Sequence, residues 1–566
     1  RVGKRTGRAA LRMAVDMAVQ RGEWAISRPE AVGRITDEHL DQVLHPQFAG
    51  SGYTVLVKGL GASPGAAVGR VYLTADDAQA AAVRGEQVVL VRSETSPEDV
   101  HGMLAAEGIL TARGGLVSHA AVVARGWGKP AVVGAEQVRI TGSTFSVGDT
   151  VVHEGDWISV DGTNGTVVLG QVPLSQGETP AEFETILGWA DAIRVGHMGV
   201  RANADNGPDA ANARKHGAEG IGLCRTEHMF LGEDRLPIVR RMILASTESQ
   251  ERSALEELRI AQKADFEEIL EAMDGLPVTV RLLDPPLHEF LPDTQELAIK
   301  AATAGLTEEE GRLWDAAKAW HEFNPMLGTR GVRLGVIKPG LYAMQVRALM
   351  EAALARVAAG GRPIVEIMIP LTVSREEMAL ARSWVEDAVA TTLAGSAKKG
   401  AKGTGKGAKA STAGKLEVLI GTMIETPRAA LLAGEIAEDA DFFSFGTNDL
   451  TQMTFGFSRD DVEGRMMSEY LSLGLLKRNP FEVVDPDGVG ELVRLGVERG
   501  RSTRPDLKIG VCGEHGGDPE SIATFARTGL DYVSCSPFRV PIARLACAQA
   551  VLSGSMAPKG SGKAKK

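Results

Sequence analysis

At 566 residues, 44% hydrophobic and 24% charged, the sequence has room for roughly two to four domains and the balance of an ordinary globular protein. A net charge of −11 argues against nucleic acid as the main partner, and no apolar run approaches the roughly 18 residues of a membrane span. Four cysteines, Cys224, Cys512, Cys535 and Cys547, occur without CxxC pairs, which argues against a disulfide framework or structural zinc and points to a reducing cytoplasm.

The sequence opens on Arg1 and shows no secretory leader, as expected of a chain that begins inside a longer protein. Residues 1–50 hold helix-like stretches such as 8-RAALRMAVDMAVQRG-22, too short for a self-sufficient domain, and read as the tail of a preceding one. From 51 to 172 the texture changes to short β-like runs, among them 54-TVLVKG-59, 67-AVGRVYL-73, 87-QVVLVR-92, 131-AVVG-134 and 150-TVVHEGDWISVDG-162, with helices expected at 97–107 and 118–127. This predicts a compact mixed β/α domain. Residues 173–195 begin with Pro, Ser and Gly and read as a linker.

The third region, 196–555, repeats one pattern eight times: a short apolar run closing on polar residues, then a helix-like stretch. The runs start at 199, 220, 277, 363, 417, 442, 508 and 531. Eight such units predict an α/β fold with a (β/α)8 barrel, whose chemistry gathers where strands end. Two Gly/Lys-rich segments, 395–414 and 556–566, are expected to be disordered.

Two groups of residues carry chemistry. In 114-GGLVSHAAVVARG-126 the glycines permit a tight path, and Ser118 can cap a helix beginning near His119. A helix N-terminus suits an anion, and neutral imidazole is a nucleophile near pH 7, so a phosphohistidine is physically reasonable. A capped structural histidine fits the same residues. The second group sits at the predicted strand ends. Glu425 and Asp449 are carboxylates suited to Mg²⁺, which shares oxygen ligands with its substrate. Arg225, Arg281 and Arg330 offer planar forks for carboxylate and phosphate, and Asn448 a neutral donor. A small substrate carrying a carboxylate, an enol oxygen and a phosphate would satisfy this set. Taken singly, each arginine also reads as a rim salt-bridge partner, with Glu227 and Asp284 orienting them; Cys224 and Cys535 read as small apolar fillers, and His288 and His515 as structural.

The segment 118-SHAAVVARGWGKPAVV-133 closely resembles the phosphohistidine loop of the phosphoenolpyruvate-utilising enzymes, and 59-GLGASPGAAVGRVYL-73 the start of their swivelling domain. The segments 222-GLCRTEHMF-230, 281-RLLDPPLHEF-290, 324-NPMLGTRGVRLG-335 and 443-FSFGTNDLTQMTFGFSRDD-461 resemble the substrate barrel of the dikinase branch, and 2-VGKRTGRAA-10 the end of its ATP-grasp region. The resemblance implies that His119 ferries a phosphoryl group on a swivelling domain. It implies that Arg225, Arg281 and Arg330 bind substrate, that Glu425 and Asp449 hold Mg²⁺ while contacting substrate, and that Gly446, Thr447 and Asn448 line the site. Cys512, in 510-GVCGEHGGDP-519, takes the place of the general acid/base. The implied overall reaction converts ATP, phosphate and pyruvate to AMP, diphosphate and phosphoenolpyruvate, with most of the nucleotide region missing here and a homodimer expected. Val117 stands where the dikinase branch carries a threonine, so threonine phosphorylation is not expected to regulate this chain.

Three alternatives follow from the same residues. A branch of the family uses water in place of phosphate. The sugar-transport phosphocarriers insert a helical subdomain before the histidine, for which the 56 positions from Ser63 to His119, already filled with β-like runs, leave no room. A catalytically dead scaffold would not be expected to keep His119, Glu425, Asp449 and Cys512.

Overall fold

A computed structural model describes residues 6–555 except 51, 97–98, 116–117, 119, 122, 125–127, 176–178, 233 and 402–415. His119, Val117, residues 402–414 of the predicted insertion and the tail 556–566 therefore lie outside the described residues. The chain groups into two compact units. The first takes in Arg1–Arg194, Gly456–Val483 and Arg544–Ser553; the second takes in Val195–Phe455, Val484–Ala543 and Gly554–Lys566.

Three short helices open the first unit, Gly7–Val19, Arg28–Arg34 and Asp37–Leu44. Each starts on a hydroxyl cap, Thr6, Ser27 or Thr36, whose oxygen accepts a backbone N–H three residues on. An eight-stranded sheet follows. Its order is Val55–Lys58, Thr166–Leu169, Trp157–Asp161, Ala66–Tyr72, Val88–Arg92, Gly108–Thr111, Ala131–Val133, Leu60–Ser63. The strands from Ala66–Tyr72 to Ala131–Val133 run parallel, and the remaining pairings are antiparallel. Both faces of the central strands are buried: Val89 and Val91 join a valine-rich core, while Val88 and Leu90 join an alanine-rich one.

Several expectations for this unit need correction. The supposed linker 173–195 is largely helix, Ala181–Arg194, because Phe183, Ile186, Leu187 and Ala190 recur at helical spacing and are buried. The run 150–162 is two strands, Thr150–His153 and Trp157–Asp161, split at Gly155, whose φ of +88° favours glycine. A helix at Ala75–Val83 and strands at Arg139–Thr141 and Thr144–Val147 were not anticipated. Near the predicted phosphohistidine, residues 120, 121, 123 and 124 are helical, but the buried Ser118 hydroxyl makes no hydrogen bond among the described residues, so the expected cap is not seen.

The second unit holds a closed parallel barrel of eight strands, one for each predicted run. They are β1 (Gly199–Asn203), β2 (Ile221–Arg225), β3 (Pro277–Arg281), β4 (Ile364–Ile369), β5 (Glu417–Ile424), β6 (Phe442–Phe445), β7 (Lys508–Val511) and β8 (Tyr532–Cys535). Helices alternate with them. One, Arg375–Ala401, continues through the first seven positions of the segment expected to be disordered from 395, since alanine and lysine favour helix. All four cysteines are buried and no disulfide joins them, and no described helix is long and apolar enough to cross a membrane.

One ion cluster is enclosed by the barrel strands. Glu366 on β4, fully buried, accepts from Arg201 Nη1 of β1 at 2.7 Å, from Thr279 Oγ1 of β3 at 2.7 Å, and from Lys508 of β7. Arg201 also lies over the Tyr532 ring at 4.1 Å, and that ring fills the space where a Cβ at Gly510 would be. Burial works against the charge on Glu366, and Arg201 and Lys508 overcome it, holding its pKa down at about 2 against an ordinary 4.5. A pKa lowered by folding means the cluster contributes fully above pH 4.5 and is lost as pH falls toward about 2. Glu366→Gln is therefore expected to be less stable at neutral pH yet to lose less on acidification, by up to about 3 kcal/mol, in urea unfolding followed against pH. An unchanged acid limb would contradict this assignment.

Candidate active site at the barrel mouth

The sequence-predicted residues converge at the C-terminal ends of the strands. Arg225 and Arg281 are the last residues of β2 and β3, Glu425 follows β5, Gly446 to Asp449 follow β6, and Cys512 follows β7. A cavity of about 350 Å³ opens there, lined in part by Glu227, His228, Arg281, Asp284, Arg330 and Asp449.

Two buried guanidiniums organise the floor. Arg281 donates to Glu227 and, from Nη1, pairs with Asp284 at 3.0 Å. Arg330 donates to both oxygens of Asp284, at 3.2 and 2.5 Å, and to both oxygens of Asp449 at 3.1 Å. This double fork is geometry that lysine cannot supply. Burial works against the charge on Asp284, but Arg281 and Arg330 outweigh it and hold its carboxyl below the usual range. Glu425 goes the other way. Burial first, then the charges of Asp449 and Asp284, push its pKa well above the usual carboxylate range.

The remaining predicted residues surround this floor. Glu425 Oε1 accepts the Leu371 backbone N–H at 2.6 Å. A Cβ on Gly446 would lie 2.8 Å from Glu425 Oε2, so only glycine fits beside that oxygen. Thr447 Oγ1 bonds the His515 ring at 2.8 Å, and Asn448 Oδ1 accepts the Glu514 backbone N–H at 3.3 Å. Cys512 is buried, with Sγ 3.7 Å from the Phe445 carbonyl, and burial raises its pKa to about 11 against the opposing pull of Arg281. Cys224 and Cys535 are also buried, with thiols pushed up by burial, as fillers would be.

Sequence reasoning gave no role to Asp205 or Asn203. Asp205 accepts the Arg225 backbone N–H at 2.6 Å, pairs with its guanidinium at 3.5 Å, and holds the His228 ring at 2.7 Å. Asn203 donates to the Cys512 carbonyl at 2.9 Å and so fixes the turn that presents the thiol. The signal was present for Asp205, which closes the first apolar run, but a carboxylate there reads as a turn residue.

Three buried polar atoms at this mouth, Glu227 Oε2, Arg281 Nε and Glu425 Oε2, have no hydrogen-bond partner among the described residues. Glu227 and Arg281 line the cavity, and unsatisfied groups at such a place mark where a ligand completes the bonding. The carboxylates Asp205, Glu227, Asp284, Glu425 and Asp449 also outnumber the guanidiniums of Arg225, Arg281 and Arg330 by two when all are ionised. A cation beside an entering anion would offset that surplus and favour the ionised form of Glu425. Among the described residues no three or more His, Cys, Asp or Glu form a metal cage, so such a cation would take further oxygens from the ligand itself.

The family description "PEP-utilising enzyme, PEP-binding domain" matches residues 181–552, and "PEP-utilising enzyme, mobile domain" matches residues 84–165. The chain is 51% identical over 564 residues to "Pyruvate, phosphate dikinase 1, chloroplastic" of Arabidopsis thaliana, covering 98% of this chain and 56% of that protein. It is 52% identical over 564 residues to "Pyruvate, phosphate dikinase 2" of Zea mays, covering 98% and 61%. The corresponding figures for "Pyruvate, phosphate dikinase 2" of Oryza sativa subsp. japonica are 51% over 559 residues, 98% and 60%. The chain thus spans a little over half the length of the curated relatives it matches. A barrel that closes on the predicted strand ends, matched from 181 to 552 by one family description, makes the chain a member of the PEP-utilising enzyme family.

Proposed function

We propose that this chain carries the half-reaction of a pyruvate, phosphate dikinase in which a phosphoryl group passes between His119 and the enol oxygen of pyruvate. The observation that carries the reading is the set of unpartnered buried atoms at a carboxylate-rich barrel mouth beside paired guanidiniums. Phosphoenolpyruvate offers a carboxylate and a phosphate to Arg225, Arg281 and Arg330, with Gly446, Thr447 and Asn448 lining its seat. Mg²⁺ fits the donor set, with Glu425 Oε2 and the Asp449 carboxylate as the protein oxygens that would hold it. When bound, it supplies stabilisation of the charge developing on the enolate oxygen.

From phosphoenolpyruvate, the P–O bond breaks as the His119 ring nitrogen forms the new P–N bond, and the enolate keeps the electron pair. Cys512, neutral because burial holds its thiol protonated, then gives its proton to the methylene carbon and yields pyruvate. In the opposite direction the Cys512 thiolate removes a methyl proton, and the enolate oxygen takes the phosphoryl group from His119. The names of the relatives favour phosphate over water as the second acceptor. ATP and phosphate chemistry, a homodimer and a cytoplasmic setting complete the proposal; the family resemblance supports the first two, and four cysteines with no disulfide among them support the last.

Radiolabelled phosphoenolpyruvate with Mg²⁺ is expected to place acid-labile phosphate on the chain, and His119→Ala to abolish it. Deletion of 402–414, which keeps the helix through Ala401 whole, is expected to leave labelling intact. Labelling that persists in His119→Ala would overturn the proposal.

A further inference from the structure

Among the described residues one non-glycine residue has a left-handed backbone: Leu371, at φ +57°, in the turn that leaves β4. Such a conformation is strained for leucine and persists only where the surroundings enforce it. Glycine would occupy the position without strain, so the side chain must contribute something that glycine cannot. It is fully buried, and a Cβ on Gly331 would lie 2.6 Å from the Leu371 Cβ, so Gly331 packs directly under the Leu371 side chain with no room for one of its own. Gly331 follows Arg330, and its own N–H bonds the Asp284 carbonyl at 2.7 Å. On the near side, Pro370 O accepts the Val332 N–H at 3.1 Å. On the far side, Thr422 Oγ1 bonds Thr372 Oγ1 and the Ile369 carbonyl, each at 2.8 Å. The consequence of the strained turn is one hydrogen bond: the Leu371 N–H donates to Glu425 Oε1 at 2.6 Å and leaves Oε2 unpartnered.

We propose that Leu371 is a positioning residue. Its side chain, wedged against Gly331, holds the left-handed turn that aims its N–H at Glu425 Oε1, and so presents Oε2 to a divalent cation. One residue thereby ties the Glu425 side of the site to the Arg330 side. This rests on the reading of Glu425 and Asp449 as cation ligands, and the test separates the two.

The full chain is titrated with Mn²⁺ in the presence of saturating pyruvate, which supplies the further oxygens the site lacks, and free ion is followed by electron paramagnetic resonance. Binding by the unaltered chain that is lost in Glu425→Gln is read first. Leu371→Gly keeps the N–H and relaxes the backbone but removes the wedge, and it is expected to weaken Mn²⁺ binding about tenfold, as loss of a ligand-orienting contact does. Leu371→Met, which conserves volume, is expected to bind as the unaltered chain does. Ile367→Ala, a buried loss on β4 outside the site, should lower the melting temperature without changing Mn²⁺ affinity. If Leu371→Gly does not fold, Leu371→Ala carries the same comparison. Unaltered affinity in the folded small-residue variant overturns the role of Leu371 alone, whereas no Mn²⁺ binding by the unaltered chain overturns the cation site and this inference with it.

Discussion

Arg330→Ala is expected to lose stability and substrate binding together. Its guanidinium bridges Asp284 and Asp449, and all three side chains are largely withdrawn from water. Removing one partner of a buried pair typically costs about 3–5 kcal/mol, because the charge left behind stays desolvated. Asp284 keeps Arg281 at 3.0 Å, so the lower end of that range applies. Urea unfolding measures this loss. Arg330→Lys restores a charge but not the fork, so it should regain part of the stability while labelling from phosphoenolpyruvate stays low. A fully stable, fully active Arg330→Ala would mean that the double fork at the barrel mouth organises nothing.

The second large effect falls on Cys512. If its thiol moves the proton at the methyl carbon, Cys512→Ala should slow exchange of pyruvate methyl protons with deuterated water by about 10²- to 10⁴-fold, the usual contribution of a positioned acid or base. The pH dependence gives a further check. An ordinary thiol is half ionised near pH 9, whereas burial has raised the pKa of Cys512 to about 11. Because removing a methyl proton requires the thiolate, exchange by the unaltered chain should keep rising past pH 9. A plateau near pH 9 would assign the step to a more exposed group.

The barrel was legible because parallel strands buried on both faces read as unbroken apolar runs, as 363-PIVEIMIPL-371 does. The acidic residue inside that run was not. Glu366 needs Arg201, 165 positions away, and Lys508, 142 positions away, and no local pattern announces such partners. In the first unit the helix Ala75–Val83 buries Ala75, Ala78 and Ala81, an alanine spacing too weak in hydrophobic contrast to stand out. The helix Ala181–Arg194 was misread because the Pro, Ser and Gly just before it gave the whole stretch the look of a linker.

At the site, strand-end position and side-chain chemistry were enough to select Arg281, Glu425 and Asp449, side-chain chemistry alone suggested Arg330, and Cys512 entered through the family resemblance; the fold does bring all five to one end of the barrel. Their pairings were beyond reach. Sequence spacing offered Arg330 no way to choose both Asp284 and Asp449, 119 positions apart from it in the second case. Nor does any residue pattern mark the left-handed turn at Leu371, because strain at a leucine is imposed by tertiary packing and not by local preference.

The most direct test of the account is a chase. Chain labelled from radioactive phosphoenolpyruvate, freed of excess reagent and mixed with pyruvate and Mg²⁺, should return its label as phosphoenolpyruvate, and should not do so without the metal. Label that stays on the protein, or leaves only as inorganic phosphate, would contradict a phosphoryl group shuttling between His119 and an enolate at the barrel mouth.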